Sequence, residues 1–293
     1  MLKKIISITV TIMLLAVSSV AVSPEKVTSE EPLKTLCVSE YDILSGQYIL
    51  SEDSEENARI LKEMNEEATN ELLYRKTLGD EELRNYYGYS DKDIAILRNY
   101  NGEEISSQQE LRALQAVLTF ETPEVVSADA DGIHLSVGWS WDKKPSILRA
   151  DGIALYWSPT FDHAAGNLRI NTSMSYLLLQ YWTTQSTIYY DADTHFTVNQ
   201  PTRTAKSEFD LSAHGGWARW GTAHIYLDAT EGSGSLSSVD FIIKYGHATV
   251  TATPEFTFPV AGTVSITGTT VESDSLEGYV DIGENEWVSN QID

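Results

Sequence analysis

The apolar positions of this chain recur with two different periods, and the change between them falls near Glu124–Asp131. Ile60, Leu61, Met64, Ala68 and Leu72 return every three or four positions with glutamates opposite, the spacing of an amphipathic helix. Gly79 supplies a stop, and Asp80 can cap the turn that follows. Ser90-Asp91-Lys92-Asp93 and Ser107-Gln108-Gln109-Glu110 each set a capping hydroxyl three residues before a carboxylate. Apolar Ile94 and Leu97, then Leu111, Leu114 and Leu118, continue the helical pattern. Leu83–Gly88 is echoed by Leu97–Gly102, and both stretches end in glycine, which accepts the left-handed backbone of a helix terminus.

Past Ala128 the period becomes two. Val239, Phe241, Ile243 and Tyr245 alternate with Asp240, Ile242 and Lys244, which predicts a strand buried on one side. Val250 and Ala252 against Thr249, Thr251 and Thr253 repeat the pattern. Further strands are predicted over 132–141, 152–157, 167–182, 187–190, 195–198, 207–211, 218–228, 255–258 and 263–267, punctuated by Pro and Gly. Closely spaced strands with no helical period between them predict an antiparallel β-sandwich. The expected fold class is therefore α+β in two parts, a small acidic helical segment followed by that sandwich. The expected boundaries are a helical segment at 54–122, a linker at 123–131, the β-domain at 132–270 and an acidic polar tail at 271–293. Residues 22–53 read as a flexible acidic leader with one short strand near Tyr41–Leu50.

The first residues change the picture of compartment. Lys3-Lys4, the apolar run Ile5–Val17 and the small residues Ser19 and Ala21 match a secretory signal peptide cleaved after Ala21. The run is short of the ~20 residues that span a bilayer, so no stable membrane anchor is expected after cleavage. The lone cysteine, Cys37, rules out an internal disulfide, so packing must hold the fold. The formal net charge of −23 is spread over both halves, with 23 acids against 10 bases in residues 22–127. Without a basic cluster there is no phosphate footprint, and nucleic acid is excluded as a partner.

Candidate chemistry is confined to the β half, which holds all six histidines and all seven tryptophans. No HExxH spacing and no Cys/His zinc set occurs. Asp191, Asp193 and His195 would share one strand face and could hold a hard cation such as calcium, or let Asp193 orient His195. The alternative is a solvated loop. Asp129-Ala130-Asp131-Gly132 opens like a calcium loop but lacks the later ligands, and reads as linker. His214-Gly215-Gly216-Trp217 resembles an oxyanion-hole turn, without the nucleophile turn such enzymes need. Trp139, Trp141, Trp217, Arg219 and Trp220 are the candidate binding residues, as an exposed aromatic platform for sugar rings. The competing reading places the indoles between the sheets.

Trp139-Ser140-Trp141, Asp151-Gly152-Ile153-Ala154 leading to Trp157, and Tyr245-Gly246-His247-Ala248-Thr249-Val250 carry a resemblance. Together they are similar to uncharacterised secreted proteins of Gram-positive bacteria that join a helical region to a β-domain. The resemblance implies the two-part fold and brings no activity, cofactor or catalytic residue. The function expected from the sequence is a secreted, extracellular binding protein that meets a glycan, the cell envelope or a protein partner, with no cofactor. Two alternatives stand beside it. One is a secreted hydrolase built on Asp191, Asp193 and His195; the other is a toxin or antimicrobial-type protein restrained by its acidic helical segment.

Overall fold

In the computed structural model the described residues form two large antiparallel sheets closed at one end by helices. The structure describes residues 40–45, 55–162, 166–185, 188–194, 196–199, 203–230, 234–249, 255–257, 265–267 and 276–290. The signal-peptide expectation, Cys37, His163 and His195 lie outside them.

Among the described residues five helices come first: α1 (Glu40–Ser45), α2 (Glu55–Arg75), α3 (Asp80–Asn85), α4 (Asp91–Asn99) and α5 (Gln108–Leu114). The apolar stripe expected along α2 is buried, with Leu61, Ala68 and Leu72 fully enclosed. Ser90 forms the complete capping box with Asp93, and the Ser107 hydroxyl accepts from the Glu110 amide. Gly88 and Gly102 both adopt left-handed backbone, φ 82° and 88°, as the repeated Gly endings implied. At Gly88 a Cβ would also sit 2.4 Å from the Asp142 carbonyl oxygen, so only glycine lets the chain pass there.

The larger sheet contains β1 (Leu118–Phe120), β2 (Glu124–Asp129), β3 (Gly132–Trp141), β5 (Leu168–Ile170), β6 (Tyr176–Thr183), β7 (Ile188–Thr194), β10 (Ser212–Ala213) and β11 (Gly216–Ala229). Its spine runs β1-β3-β11-β6-β7, with β2 on β3 and with β5 and β10 on β11. The smaller sheet runs in the order β16 (Glu286–Ser289), β15 (Leu276–Asp281), β12 (Leu236–His247), β4 (Ala150–Phe161), β9 (Thr204–Asp210), β8 (Thr197–Asn199). A separate hairpin, β13 (Glu255–Thr257) with β14 (Ser265–Thr267), sets Phe256 against Ala154, Tyr156 and Ile242. Burial alternates along β3, β6, β11 and β12 as the two-residue period requires. Val239, Phe241, Ile243 and Tyr245 are all buried as expected.

Four boundary expectations need correction. The linker is strand β2, paired with β3 from Glu124 to Asp129. Its Asp129-Ala130-Asp131-Gly132 turn is held by the Asp129 carboxylate, which accepts from the amides of Asp131 and Gly132 at 2.9 and 3.1 Å. The polar tail contributes β15 and β16, because Val280 pairs with Val239 and is fully buried despite its acidic neighbours. Leu118 is in strand β1, not on a helix. The strand expected near Tyr41–Leu50 is helix α1 over its described part, with Ile43 and Leu44 in the core.

The helices pack into the same body as the sandwich. They cover the end of the sandwich where β3, β6, β9 and β12 finish and β4 and β11 begin. Their apolar residues belong to the same core as those of both sheets. The Arg75 guanidinium, fully buried, donates to the carbonyls of Lys144 and Pro145 at 2.8 and 2.7 Å. The Trp217 indole donates to the Tyr86 carbonyl at 2.9 Å, and the Lys144 amide to the Tyr87 carbonyl at 2.9 Å. Such interlocked hydrogen bonds leave the sandwich end without a surface of its own.

Candidate functional site

The proposed aromatic platform divides between interior and surface. Trp139, Trp141 and Trp217 are buried, which corrects their assignment as exposed stacking residues. Trp139 lies across Gly221 on the neighbouring strand, where any Cβ would collide with the indole, and packs against Phe209 and Tyr245. The Trp141 indole donates to the Tyr245 hydroxyl at 3.3 Å, and Trp217 seals the α3 terminus. Each of these indoles takes a large apolar area out of water. Arg219 and Trp220 remain half-buried, with the guanidinium 4.7 Å from the Trp220 ring centre and 5.6 Å from that of Trp182. A β-bulge between Ala218 and Trp220 produces this arrangement by shifting the register of β11 against β6.

Among the described residues two carboxylate–imidazole pairs occur, in opposite environments. Asp151 and His247 meet at 2.7 Å with both side chains fully buried, and the Tyr245 hydroxyl donates to the other Asp151 oxygen. Burial first, and then Asp151, push the Tyr245 phenol well above its ordinary pKa, so it stays a donor. The three groups resemble a catalytic relay, but all lie sealed beneath the helices and no substrate can reach them. Inside the core Asp151 joins the other two through hydrogen bonds. Sequence reasoning did not single them out, although Asp151 and His247 lie within the motifs quoted for the resemblance.

Asp191 faces His214 at 3.4 Å on the surface, with Tyr189 stacked against the same imidazole. The Asp193 side chain and His195 lie outside the described residues, so their meeting with Asp191 does not enter the geometry. Among the described residues no three His, Cys, Asp or Glu side chains converge to hold a metal. His214-Gly215 forms the two-residue turn of the β10–β11 hairpin, with φ 53° and 71°. Positive values at both positions mark a turn suited to right-twisted strands, which accounts for the motif without an oxyanion hole.

What remains is the outer face of the larger sheet. Register places Glu124, Ser136, His224 and Tyr176 in one row across the strands. The next row is Gly138, Thr222 and Leu178, with no aromatic ring, and the row after it holds Ser140, Trp220, Gln180 and Tyr190. His134 and Tyr226, beside the first row, stack with ring centres 3.9 Å apart, and Tyr176 stacks on His224 at 4.6 Å. Trp182 and Trp220 meet edge to face at 5.3 Å, and the Trp182 indole donates to the Asn85 carbonyl. His224 and Trp220 are four residues apart on one strand, or about 13 Å. Two aromatic groups therefore flank a strip without rings, and the Glu121 side chain lies over Gly138 within it. Sequence reasoning found Trp220 and Arg219 but missed the Tyr/His group, whose members alternate with core residues on three strands.

No protein-family model matches the chain, and no curated protein sequence matches it. Solved structures are similar in part of the fold. A DUF4466 family protein from Parabacteroides merdae is 9% identical over 60% of this chain, with a TM-score of 0.29, and the match spans 46% of that protein. The full-length major pilin SpaD from Corynebacterium diphtheriae is 12% identical over 56% of this chain and 34% of its own, with a TM-score of 0.28. The collagen-binding domain of a Staphylococcus aureus adhesin is 9% identical over 53% and 96%, with a TM-score of 0.22. Likeness at this level assigns neither ligand nor activity.

Proposed function

We propose that this protein is an exported, non-enzymatic binding protein and that the outer face of its larger sheet holds a glycan. One observation carries the reading: two aromatic groups on a single open face flank the Gly138–Thr222–Leu178 strip. Rings offer apolar area to sugar C–H groups, while Ser136, Ser140, Thr222, Gln180 and the Glu121 carboxylate offer hydrogen bonds to hydroxyls. The net charge of −23 disfavours polyanionic glycans and suits neutral or amino-bearing ones of the cell envelope. Export is part of the same proposal, supported by Lys3-Lys4, Ile5–Val17 and the small residues before the expected cleavage point. Among the described residues no helix is long and apolar enough to cross a membrane.

Affinity electrophoresis through neutral and amino-sugar polysaccharides, including peptidoglycan fragments, tests the binding. Retardation that is lost in Trp220→Ala and Tyr190→Ala supports it. Unretarded migration in every polysaccharide overturns the glycan and leaves a protein partner, for which Ile188, Tyr189 and Tyr190 on edge strand β7 are exposed. Mass measurement of protein secreted by a Gram-positive host tests export, and a mature chain starting at Val22 is expected.

A further inference from the structure

His134 and His224 sit diagonally on neighbouring strands, because His134 pairs in register with Tyr226, two residues beyond His224. The tyrosine stacked on each imidazole restrains it, His134 by Tyr226 and His224 by Tyr176. Nε2 of His134 and Nδ1 of His224 consequently face each other at 3.2 Å, with ring centres 5.4 Å apart. A single proton between them makes an N–H···N hydrogen bond. Two imidazole nitrogens bound tetrahedrally at about 2.0–2.1 Å from one ion would be separated by about 3.3–3.4 Å. The observed gap therefore needs only a few tenths of an ångström and a small ring rotation to accept a metal ion in place of the proton.

We propose that His134 and His224 form a two-imidazole site for a borderline divalent transition-metal ion such as Zn²⁺, with water completing the coordination. Imidazole selects such ions over calcium or magnesium, which prefer oxygen ligands. Burial lowers both imidazole pKa values from 6.5, and at His134 the neighbouring imidazole lowers it further, so unprotonated nitrogen is present at neutral pH. Glu124, directly across Ser136 from His224, acts on both rings with the opposite sign and adds negative charge beside the gap. The ion would link β3 to β11 on the open face. This inference needs no glycan and is independent of the proposed function.

Zn²⁺ alone, added to the untagged full chain at pH 7.5, is the probe. Calorimetry should read one ion per chain, and imidazole ¹⁵N resonances of His134 and His224 should shift while those of His247 stay. His134→Gln and His224→Gln should each abolish the binding. Zn²⁺ binding that persists unchanged in the double variant overturns the site, and so does a wild-type titration that leaves both resonances in place. The wild-type spectrum decides the matter without depending on the folding of any variant. Loss of glycan retardation in Trp220→Ala is read separately, so the two proposals can fail independently.

Discussion

The capped end of this sandwich and the open face of its larger sheet use the same residue types for opposite purposes. At the capped end His247 is fully enclosed with Asp151 and Tyr245, and Arg75 with main-chain carbonyls. Away from water each polar group must find its partner within the protein, so these contacts hold one geometry. On the open face His134 and His224 are half-buried, and water can complete their hydrogen bonding. Their partners can therefore exchange. An Asp–His–Tyr relay that looks catalytic is structural because it is sealed, while the His–His pair keeps its chemistry because it is accessible.

Removing one member of the sealed relay should give the largest effect. Asp151→Ala leaves the Tyr245 hydroxyl and His247 without their carboxylate and should cost about 3–5 kcal/mol in urea unfolding. A loss under about 1 kcal/mol would erase the distinction between end and face. The tryptophans offer a matched comparison on the larger sheet. Trp139→Ala opens a cavity beside Gly221 and should cost about 3–5 kcal/mol. Trp220→Ala, on the opposite face, should cost about 1 kcal/mol or less yet remove retardation by glycan. Equal destabilisation by the two would mean that Trp220 is a core residue.

The capped end should also respond to pH. Lys144 is nearly buried, its ammonium 4.9 and 4.8 Å from the ring centres of Tyr86 and Tyr87. Burial first, and then Arg75, bring its pKa down to about 8 from 10.5. Between these values the unfolded chain binds more protons than the folded one, so stability should rise with pH, by at most about 1.4 kcal/mol per unit. Above pH 10 buried tyrosines with raised pKa, Tyr87 and Tyr245, oppose the trend, since only the unfolded chain releases their protons. Lys144→Met should flatten the rise between pH 8 and 10 in chemical-denaturation curves.

The smallest effect belongs to the open face. Lowered pKa values at His134 and His224 mean that stability falls slightly as pH drops below 6.5, where the unfolded imidazoles protonate first. His134→Gln with His224→Gln should remove that slope while leaving the one near pH 8 intact.

Much of the fold was legible locally. The capping box at Ser90, the left-handed Gly88 and Gly102, and the alternation through Tyr245 depend on neighbours a few residues away, and all appear as read. Strands β2, β15 and β16 were missed because outward-facing acids mask their short apolar patterns, and β15 is fixed by a partner, β12, far back in the chain. The candidate site was half legible. Trp220 and Arg219 were found by composition, but Trp139, two residues from Trp141 on the same face, could not be told from a surface pair. Alternation says which side chains share a face, not which face the second sheet covers.

Residue order by itself determined the two periods, the helix stops and the absence of a stabilising disulfide, because each follows from local chemistry or from counting. Tertiary structure alone decided that the helices close the sandwich, that Asp151 meets His247 across 96 residues, and that His134 faces His224. Those pairings come from strand register and from the burial that follows when two sheets and a helical cap exclude water together, and neither is written in any short stretch of chain.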